Sequence, residues 1–291
     1  FSSRRRHTRF RNVTGVQTCA LPIFLLAADA ATAAAFGFRE VETTVPVLGD
    51  APSNAIAVSI GAAVGSPGLL VQCSVEEALE LEMGMRGLVY SRPGYGQSTP
   101  RAQDERWGVD FMHRQAWEVL PALLSQLSVN KPWLFGHSDG GSIALLYAAR
   151  HPDQCSGAIV VAPHIMVEDN SINSIKMARE AYLHQGLRER LSRYHDEVDS
   201  AFFGWNDIWL SPEFRHWSIQ AELAAIRCPL LAIQGEDDEY GTLEQVYGIR
   251  VVLPETTVLS LPGCGHSPHR DQPLILTEMV EEFVLPLLSG A

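Results

Sequence analysis

Three kinds of residue in this chain could together do nucleophilic chemistry: a serine between glycines, a run of acids and two histidines. Ser138 lies in the glycine-rich run 136–141, the acids occupy positions 236–239, and the histidines are His266 and His269. A serine hydroxyl is a poor nucleophile until a base takes its proton, and an imidazole oriented by a carboxylate is a common base. The set therefore predicts acyl transfer through the serine.

The serine stands between a predicted strand and a predicted helix. Apolar residues 132–135 precede it, and the alanine- and leucine-rich run 142–150 follows it. Strand, G-x-S-x-G and helix is the order of a nucleophile elbow, a sharp turn that lifts the serine hydroxyl clear of the sheet. Small residues at the turn let the strand and the helix pass close together. An ordinary glycine-rich turn is the alternative interpretation.

Residues 136–141, in this setting, resemble the nucleophile motif of the α/β-hydrolase superfamily, in the branch of small serine esterases and related lyases. The resemblance extends from about residue 38 to the end and is strongest at 86–98, 132–150 and 229–273. It implies an α/β fold with a mostly parallel central sheet flanked by helices. It also implies a core made of residues 24–163 and 226–291, with residues 164–225 inserted after the sixth strand as a helical cap.

The same resemblance selects the acid among several candidates. The apolar run 229–235 reads as a strand that ends in glycine, and the superfamily's acid lies three residues past that glycine, at Asp238. Asp237 is the fallback. Glu168 or Asp169, after the sixth strand, is a weaker alternative.

A Gly-His pair on the loop after the last predicted strand resembles the superfamily's catalytic histidine, which selects His266. His269 is the competitor, but it lies close to the closing helix and is expected to help fix the loop. The chain order of Ser138, Asp238 and His266 matches the α/β-hydrolase arrangement. An aspartate in this role would fix the histidine tautomer and stabilise the imidazolium that forms.

Two backbone segments are expected to form the oxyanion hole. The Asp139 N–H, at the start of the elbow helix, is one expected donor. The superfamily keeps the other donor in the loop that corresponds to residues 61–67, so Ala62 or Ala63 is expected to supply it. This loop lacks the usual His-Gly pair, and loss of one oxyanion donor typically costs about 10²- to 10³-fold in rate.

The predicted cap is rich in aromatic residues and contains predicted helices at 172–184, 186–195 and 197–203. Its aromatic residues could line an apolar substrate pocket or could form the cap's own small core. The cap entry also holds His164, a possible polar group of the pocket. The pocket candidates chosen from the sequence are His137, Phe203, Trp205 and Trp209.

The remaining elements follow from apolar periodicity and turn residues. The loop 91–98 is expected to brace the elbow. Predicted helices cover residues 75–83, 107–127 and 274–284. Predicted strands cover residues 38–47, 55–60, 86–90, 156–162, 229–235 and 257–261.

The net charge and the cysteine content indicate which partners and which cellular location this protein is expected to have. A net charge of −12 argues against nucleic acid or an anionic membrane as a partner. Five scattered cysteines without C-x-x-C spacing fit reduced thiols in a cytoplasmic protein, which we expect to be a monomer or a homodimer. No apolar run reaches the roughly 18 to 20 residues that span a bilayer. We expect no metal or organic cofactor, because the proposed chemistry needs none.

Residues 1–23 do not match the rest of the chain. The first eleven residues carry five arginines and no acid. The run through residues 20–23 resembles the conceptual translation of a sequencing adapter, which we favour over a transit peptide of similar composition. We therefore expect a non-native or disordered extension with no functional role.

Together, these residues predict a serine hydrolase that cleaves small or medium carboxylic esters through an acyl-enzyme. One alternative has the same triad but acts on a carbon–carbon bond instead of an ester bond. It is a C–C hydrolase or a synthase-type member that acts on a carboxylate-bearing substrate. Cap cations would bind that carboxylate. A second alternative is a non-catalytic ligand-binding member, because the His-Gly loop is missing. The cap cations are Lys176, Arg179, Arg188, Arg190 and Arg193.

Overall fold

The computed structural model describes residues 56–60, 86–96, 98–102 and 104–289 of the chain. Within these residues the strands are β1 (Ile56–Ile60), β2 (Arg86–Tyr90), β3 (Trp133–His137), β4 (Gly157–Val161), β5 (Leu230–Gly235) and β6 (Thr257–Leu261). They form a parallel sheet in the order β2-β1-β3-β4-β5-β6. Because all the strands point the same way, their carboxyl ends lie along one edge.

In the connections that the structure describes, helices link successive parallel strands. A short 3₁₀ turn, Pro212–His216, lies between two of them. The helices are α1 (Phe111–Arg114), α2 (Leu120–Gln126), α3 (Asp139–Arg150), α4 (Asp169–His184), α5 (Leu187–Leu191), α6 (Val198–Trp209), α7 (Gln220–Leu223), α8 (Glu244–Val252), α9 (Pro268–Asp271) and α10 (Pro273–Ser289). Helices α4 to α7 fall between β4 and β5, where the cap is predicted; the cap boundaries 164–225 remain a prediction.

Both faces of the sheet are buried, and successive strand residues alternate between them. Along β3, Leu134 packs into the larger core, which contains residues of α1 to α3, α8 and the helices after β4. Its neighbours Trp133 and Phe135 pack into a second core, on the face that α10 covers. A doubly covered parallel sheet needs apolar side chains on both faces, which explains why these strands are continuous apolar runs.

One predicted helix is interrupted. Residues 107–127 were expected to be one helix, but the helix begins at Phe111 and passes through a π-helical turn, Gln115–Val119, before α2. Pro121 lies in the first turn of α2 and has no N–H to donate to the carbonyl one turn earlier, which favours a wider turn at that point.

A predicted cap helix is longer than expected. The segment 197–203 continues as α6 to Trp209. Gly204 does not end the helix; a Cβ at this position would come within 3.3 Å of the Trp107 ring. The glycine therefore serves close packing inside the helix instead of terminating it.

Several predicted elements lie outside the described residues, namely the strand at 38–47, the loop at 61–67 and the helix at 75–83. In the part of the chain that the structure describes, no helix is both long enough and apolar enough to cross a bilayer.

Candidate active site

The chemically active side chains follow the carboxyl ends of neighbouring strands. Ser138 follows β3, His164 follows β4, Asp238 follows β5 and His266 follows β6. In open α/β sheets, ligands bind in the crevice outside the carboxyl ends of the strands. The topology therefore brings residues that are far apart in sequence to one edge of the sheet.

The turn at Ser138 is strained. Its backbone has φ 55° and ψ −126°, a region that residues other than glycine rarely adopt. A Cβ at Gly136 would lie 2.3 Å from the Gly140 carbonyl oxygen, so a side chain at 136 is incompatible with this turn. Ser138 immediately precedes α3 and accepts from the N–H groups of Gly141 and Ser142 at 2.8 and 3.2 Å. This is the geometry of a nucleophile elbow.

Ser138, His266 and Asp238 form a continuous hydrogen-bonded line. The Ser138 Oγ lies 3.0 Å from His266 Nε2. The His266 Nδ1 lies 2.9 Å from each carboxylate oxygen of Asp238. The imidazole can therefore accept the serine proton at Nε2 while Nδ1–H donates to the carboxylate.

Several donors hold the Asp238 carboxylate in place. Its Oδ1 accepts from the backbone N–H groups of Tyr240 and Gly241, at 2.8 and 3.2 Å. Its Oδ2 accepts from Gln234 Nε2 at 2.6 Å. The Tyr240 ring also packs 4.7 Å from the His266 ring. These contacts fix the carboxylate in a position that faces the His266 imidazole.

The alternative acids have other roles. Asp237 is exposed. Glu168 accepts from the Thr242 hydroxyl and from Gln245 Nε2, each at 2.6 Å. Asp169 is an exposed partner of Arg215. Among the acids considered from the sequence, Asp238 is the one that contacts the His266 imidazole, whereas Glu239 accepts from the His266 backbone N–H at 3.2 Å.

His137 and His269 lie behind the triad histidine. The His137 Nε2 donates to the His266 carbonyl oxygen at 2.6 Å, and its ring lies 4.6 Å from that of His269. Burial, together with His266 and His269, holds the pKa of His137 well below its usual value. A neutral His137 therefore supports the loop that carries His266 instead of lining an open pocket.

The structure describes one of the expected oxyanion donors but not the others. The Asp139 N–H is at the start of α3 and donates to none of the described residues, so it is free to bind an oxyanion. The positive end of the helix dipole adds to this donor. Ala62 and Ala63 lie outside the described residues, and their role as donors remains a prediction.

Trp209 brings α6 against the elbow. Its Nε1 donates to Asp139 Oδ1 at 3.2 Å, and its ring meets the His164 ring edge-on at 4.8 Å. His164 in turn lies 6.0 Å from the His266 ring. Burial and the neighbouring His266 lower the pKa of His164 to about 3, so this imidazole is neutral beside the triad.

The other two aromatic pocket candidates lie within the helices after β4. Trp205 is buried and packs 6.0 Å from Phe202. Phe203 packs edge-on against Tyr182 and lines a cavity of about 320 Å³ whose walls include Trp107. These contacts fit the alternative in which the aromatics form the cap's own core.

Two of the five cap cations are paired with acids. Arg179 pairs with Asp207 at 3.0 Å, and Arg188 pairs with Asp199 at 2.9 Å. The other three positions are exposed, and they are Lys176, Arg190 and Arg193.

Two residues near the site were not assigned by sequence reasoning. Gln234 is inside β5, where it reads as a strand residue, yet it holds Asp238. Arg92 lies in the loop that was expected only to brace the elbow, and it is buried beside Asp139. The signal available for Arg92 was its position just after the carboxyl end of β2, the same kind of position that Ser138 and Asp238 occupy.

Comparison with known proteins identifies the family. Residues 63–197 match a family model described as alpha/beta hydrolase fold. Monoglyceride lipase of Homo sapiens is 32% identical over 238 aligned positions, which cover 72% of this chain and 75% of that protein. The chain belongs to the α/β-hydrolase fold family.

Other members of the α/β-hydrolase family are more distant. The 2-hydroxy-6-oxo-6-phenylhexa-2,4-dienoate hydrolase of Burkholderia cepacia is 23% identical over 210 positions, covering 63% of this chain and 71% of that protein. A solved carboxylesterase of Nitrososphaera gargenis superposes with a TM-score of 0.66 at 21% identity, over 84% of this chain and 94% of that one. These relatives are hydrolases, so hydrolase is the activity class that family membership supports.

The N-terminal region is similar to a different family. Residues 2–93 match a model described as dehydratase large subunit. The glycerol dehydratase large subunit of Citrobacter freundii is 60% identical over 63 residues, which are 22% of this chain and 11% of that protein. This similarity fits an N-terminal segment that does not belong with the hydrolase, and it extends beyond residue 23. Residues 63–93, which include most of the loop at 61–67, lie inside both the dehydratase match and the α/β-hydrolase match.

Proposed function

We propose that this chain is a serine hydrolase that cleaves carboxylic esters through an acyl-enzyme intermediate. The observation that carries the proposal is the line from Ser138 Oγ through His266 to Asp238, with contacts of 3.0 and 2.9 Å. Ser138 lies on a strained elbow, beside the Asp139 N–H, which donates to none of the described residues. The Ser138–His266 and His266–Asp238 contacts are within the distance that proton transfer requires.

In the acylation step, the Ser138 Oγ attacks the ester carbonyl carbon while its proton passes to His266 Nε2. Negative charge develops on the carbonyl oxygen, where the Asp139 N–H can donate to it. Asp238 stabilises the imidazolium that forms. The tetrahedral intermediate then collapses, and His266 returns the proton to the departing alkoxide, which leaves as the alcohol.

In the deacylation step, water replaces the alcohol. His266 takes a proton from the water as the water oxygen attacks the acyl carbon. Collapse of the second tetrahedral intermediate releases the carboxylic acid and returns the proton to Ser138. The same Asp139 N–H serves both intermediates, because the acyl carbonyl oxygen stays in one place.

The test is hydrolysis of p-nitrophenyl butyrate at mildly alkaline pH by the wild type, Ser138→Ala and Ser125→Ala. Ser125 is an exposed serine on α2, so its alanine variant controls for the substitution itself. We expect turnover by the wild type and the Ser125 variant, and none above background by the Ser138 variant. Equal hydrolysis by all three proteins would contradict the proposal, and so would inactivity of all three.

A C–C hydrolase is the second candidate, because two of the similar proteins are named as dienoate hydrolases, at 23% and 22% identity. The same triad can activate water or a substrate carbonyl for cleavage of a carbon–carbon bond. Turnover of 2-hydroxy-6-oxo-6-phenylhexa-2,4-dienoate, with no turnover of the butyrate ester, would favour this candidate. Inertness towards both substrates would favour a non-catalytic ligand-binding member.

A further inference from the structure

A buried ion pair adjoins the nucleophile elbow. Arg92, just after β2, and Asp139, the first residue of α3, expose only 3% and 1% of their side chains. Arg92 Nη2 and Asp139 Oδ2 lie 3.9 Å apart, which is beyond hydrogen-bonding distance. Neither of these two atoms has a hydrogen-bond partner in the described part of the chain. The pair is therefore electrostatic and not hydrogen-bonded.

Such a pair is an unusual arrangement inside a protein. Most buried polar atoms are hydrogen-bonded, and taking charges out of water carries a penalty that a poorly matched pair does not recover. The Arg92 guanidinium has a further contact with the face of the Tyr95 ring, 4.7 Å from its centre. A stability role alone would be served better by apolar side chains at both positions.

The place of the pair suggests a role in the chemistry. The Asp139 carboxylate belongs to the residue whose N–H would bind the oxyanion. A negative charge beside that oxyanion repels the negative charge that develops in the transition state. The repulsion is stronger where the surroundings are of low polarity. A positive charge beside the carboxylate removes this opposition.

We propose that Arg92 is a positioning residue that acts through Asp139, offsetting the carboxylate charge so that the elbow can stabilise an oxyanion. The inference rests on the proposed function, because it assumes an oxyanion at the Asp139 N–H. Trp209 acts on the other carboxylate oxygen, by donating to Oδ1 at 3.2 Å. Arg92 therefore acts on one carboxylate oxygen through its charge, and Trp209 acts on the other through a hydrogen bond.

The titration of Asp139 gives the inference a distinctive signature. Burial raises the pKa of its carboxyl, while Arg92, the Trp209 hydrogen bond and His266 lower it. Tyr95, which also faces the carboxyl, titrates far above the range of interest, because burial raises its pKa. Removing Arg92 therefore raises the pKa of Asp139 further. As pH falls, Asp139 takes up a proton and the opposing charge disappears.

The experiment compares Arg92→Met, Asp139→Asn and the double variant with the wild type between pH 5 and 8. The measured quantity is kcat/KM for p-nitrophenyl butyrate, with active sites counted by fluorophosphonate titration. We expect Arg92→Met to lose roughly 10- to 100-fold at pH 8. The ratio of its kcat/KM to that of the wild type should rise as pH falls, because protonation of Asp139 removes the opposing charge that Arg92 no longer offsets.

The double variant should recover most of the loss, and its ratio to the wild type should not change with pH. Arg92→Lys keeps the charge, so it should stay closer to the wild type than Arg92→Met and show a flat ratio. This variant keeps the test open if Arg92→Met does not fold. A flat ratio for a folded Arg92→Met, or a loss in Arg92→Lys as large as that in Arg92→Met, would overturn the inference.

The inference and the proposed function fail in different ways. A wild type that neither reacts with the fluorophosphonate nor hydrolyses the ester would overturn both. A wild type that reacts normally, beside an Arg92→Met variant of equal activity at pH 8, would overturn the inference alone.

Discussion

The Asp238→Asn substitution perturbs the site with little change in shape. Four donors converge on the two carboxylate oxygens: two backbone N–H groups on Oδ1, Gln234 Nε2 on Oδ2 at 2.6 Å, and His266 Nδ1 at 2.9 Å from both. An asparagine supplies one oxygen and one NH₂ group. In either orientation of the amide, the NH₂ group therefore takes the place of one carboxylate oxygen. It then faces a donor that has lost its acceptor.

The Asp238→Asn substitution affects Ser138 by changing the tautomer of the His266 imidazole. In either orientation the new NH₂ lies near His266 Nδ1, which favours the tautomer in which Nδ1 accepts and Nε2 carries the proton. That tautomer cannot take the proton of Ser138. An amide in place of a buried triad aspartate typically costs about 10⁴-fold in kcat, equivalent to about 5.5 kcal/mol of transition-state stabilisation.

The assay is kcat for p-nitrophenyl butyrate, with Asp237→Asn as the matched control. Asp237 is the adjacent acid, it is exposed, and it also follows β5, so its substitution changes the same charge without touching His266. We expect a loss of about 10⁴-fold for Asp238→Asn and less than about threefold for Asp237→Asn. A folded Asp238→Asn that kept a tenth of the activity, or a large loss in Asp237→Asn alone, would refute the reasoning.

Three further predictions concern the elbow and its surroundings. Gly136→Ala places a Cβ 2.3 Å from the Gly140 oxygen, so we expect loss of more than about 3 kcal/mol in urea unfolding, or no soluble protein. Trp209→Phe keeps an aromatic ring but removes the indole N–H that donates to Asp139 Oδ1, together with part of the buried ring volume; the free energy of unfolding should fall by at least about 1–3 kcal/mol, and unchanged stability would contradict the contact. Burial lowers the pKa of His269 to about 4, so the unfolded chain, with a histidine pKa near 6.5, takes up this proton first as pH falls. The free energy of unfolding should therefore fall as pH is lowered from about 6.5 to 4. In His269→Phe, the fall in this free energy per pH unit should be smaller than in the wild type by about 1.4 kcal/mol. Thermal melts that show the same pH dependence for both proteins would contradict this.

The strands and the positions of the triad residues could be predicted because their signals are local. The runs 229–235 and 257–261 are apolar and bounded by turn residues, so their ends were predicted to within one residue. In a parallel sheet, knowing which residue follows each strand places that residue on the common edge. Ser138, Asp238 and His266 each follow a strand, and the structure places them in hydrogen-bonding contact.

Other features depend on packing that the sequence pattern does not contain. Arg92 and Asp139 meet only after β2 and β3 take their places in the sheet, and nothing in a glycine-rich loop indicates that its arginine is buried. His137 was expected at the pocket, but its ring contacts the carbonyl oxygen of His266 and lies behind that residue. Helix α6 extends past Gly204 because that glycine packs against Trp107, a contact between distant segments.

The most direct measurement is the mass of the protein after reaction with a fluorophosphonate, followed by peptide mapping. A triad with an activated Ser138 predicts one phosphonyl adduct per chain, on the peptide that contains Ser138. The adduct should be absent in Ser138→Ala, present in Ser125→Ala and formed far more slowly in Asp238→Asn. An unmodified wild type, or an adduct on another residue, would contradict the central claim that Ser138 is the nucleophile.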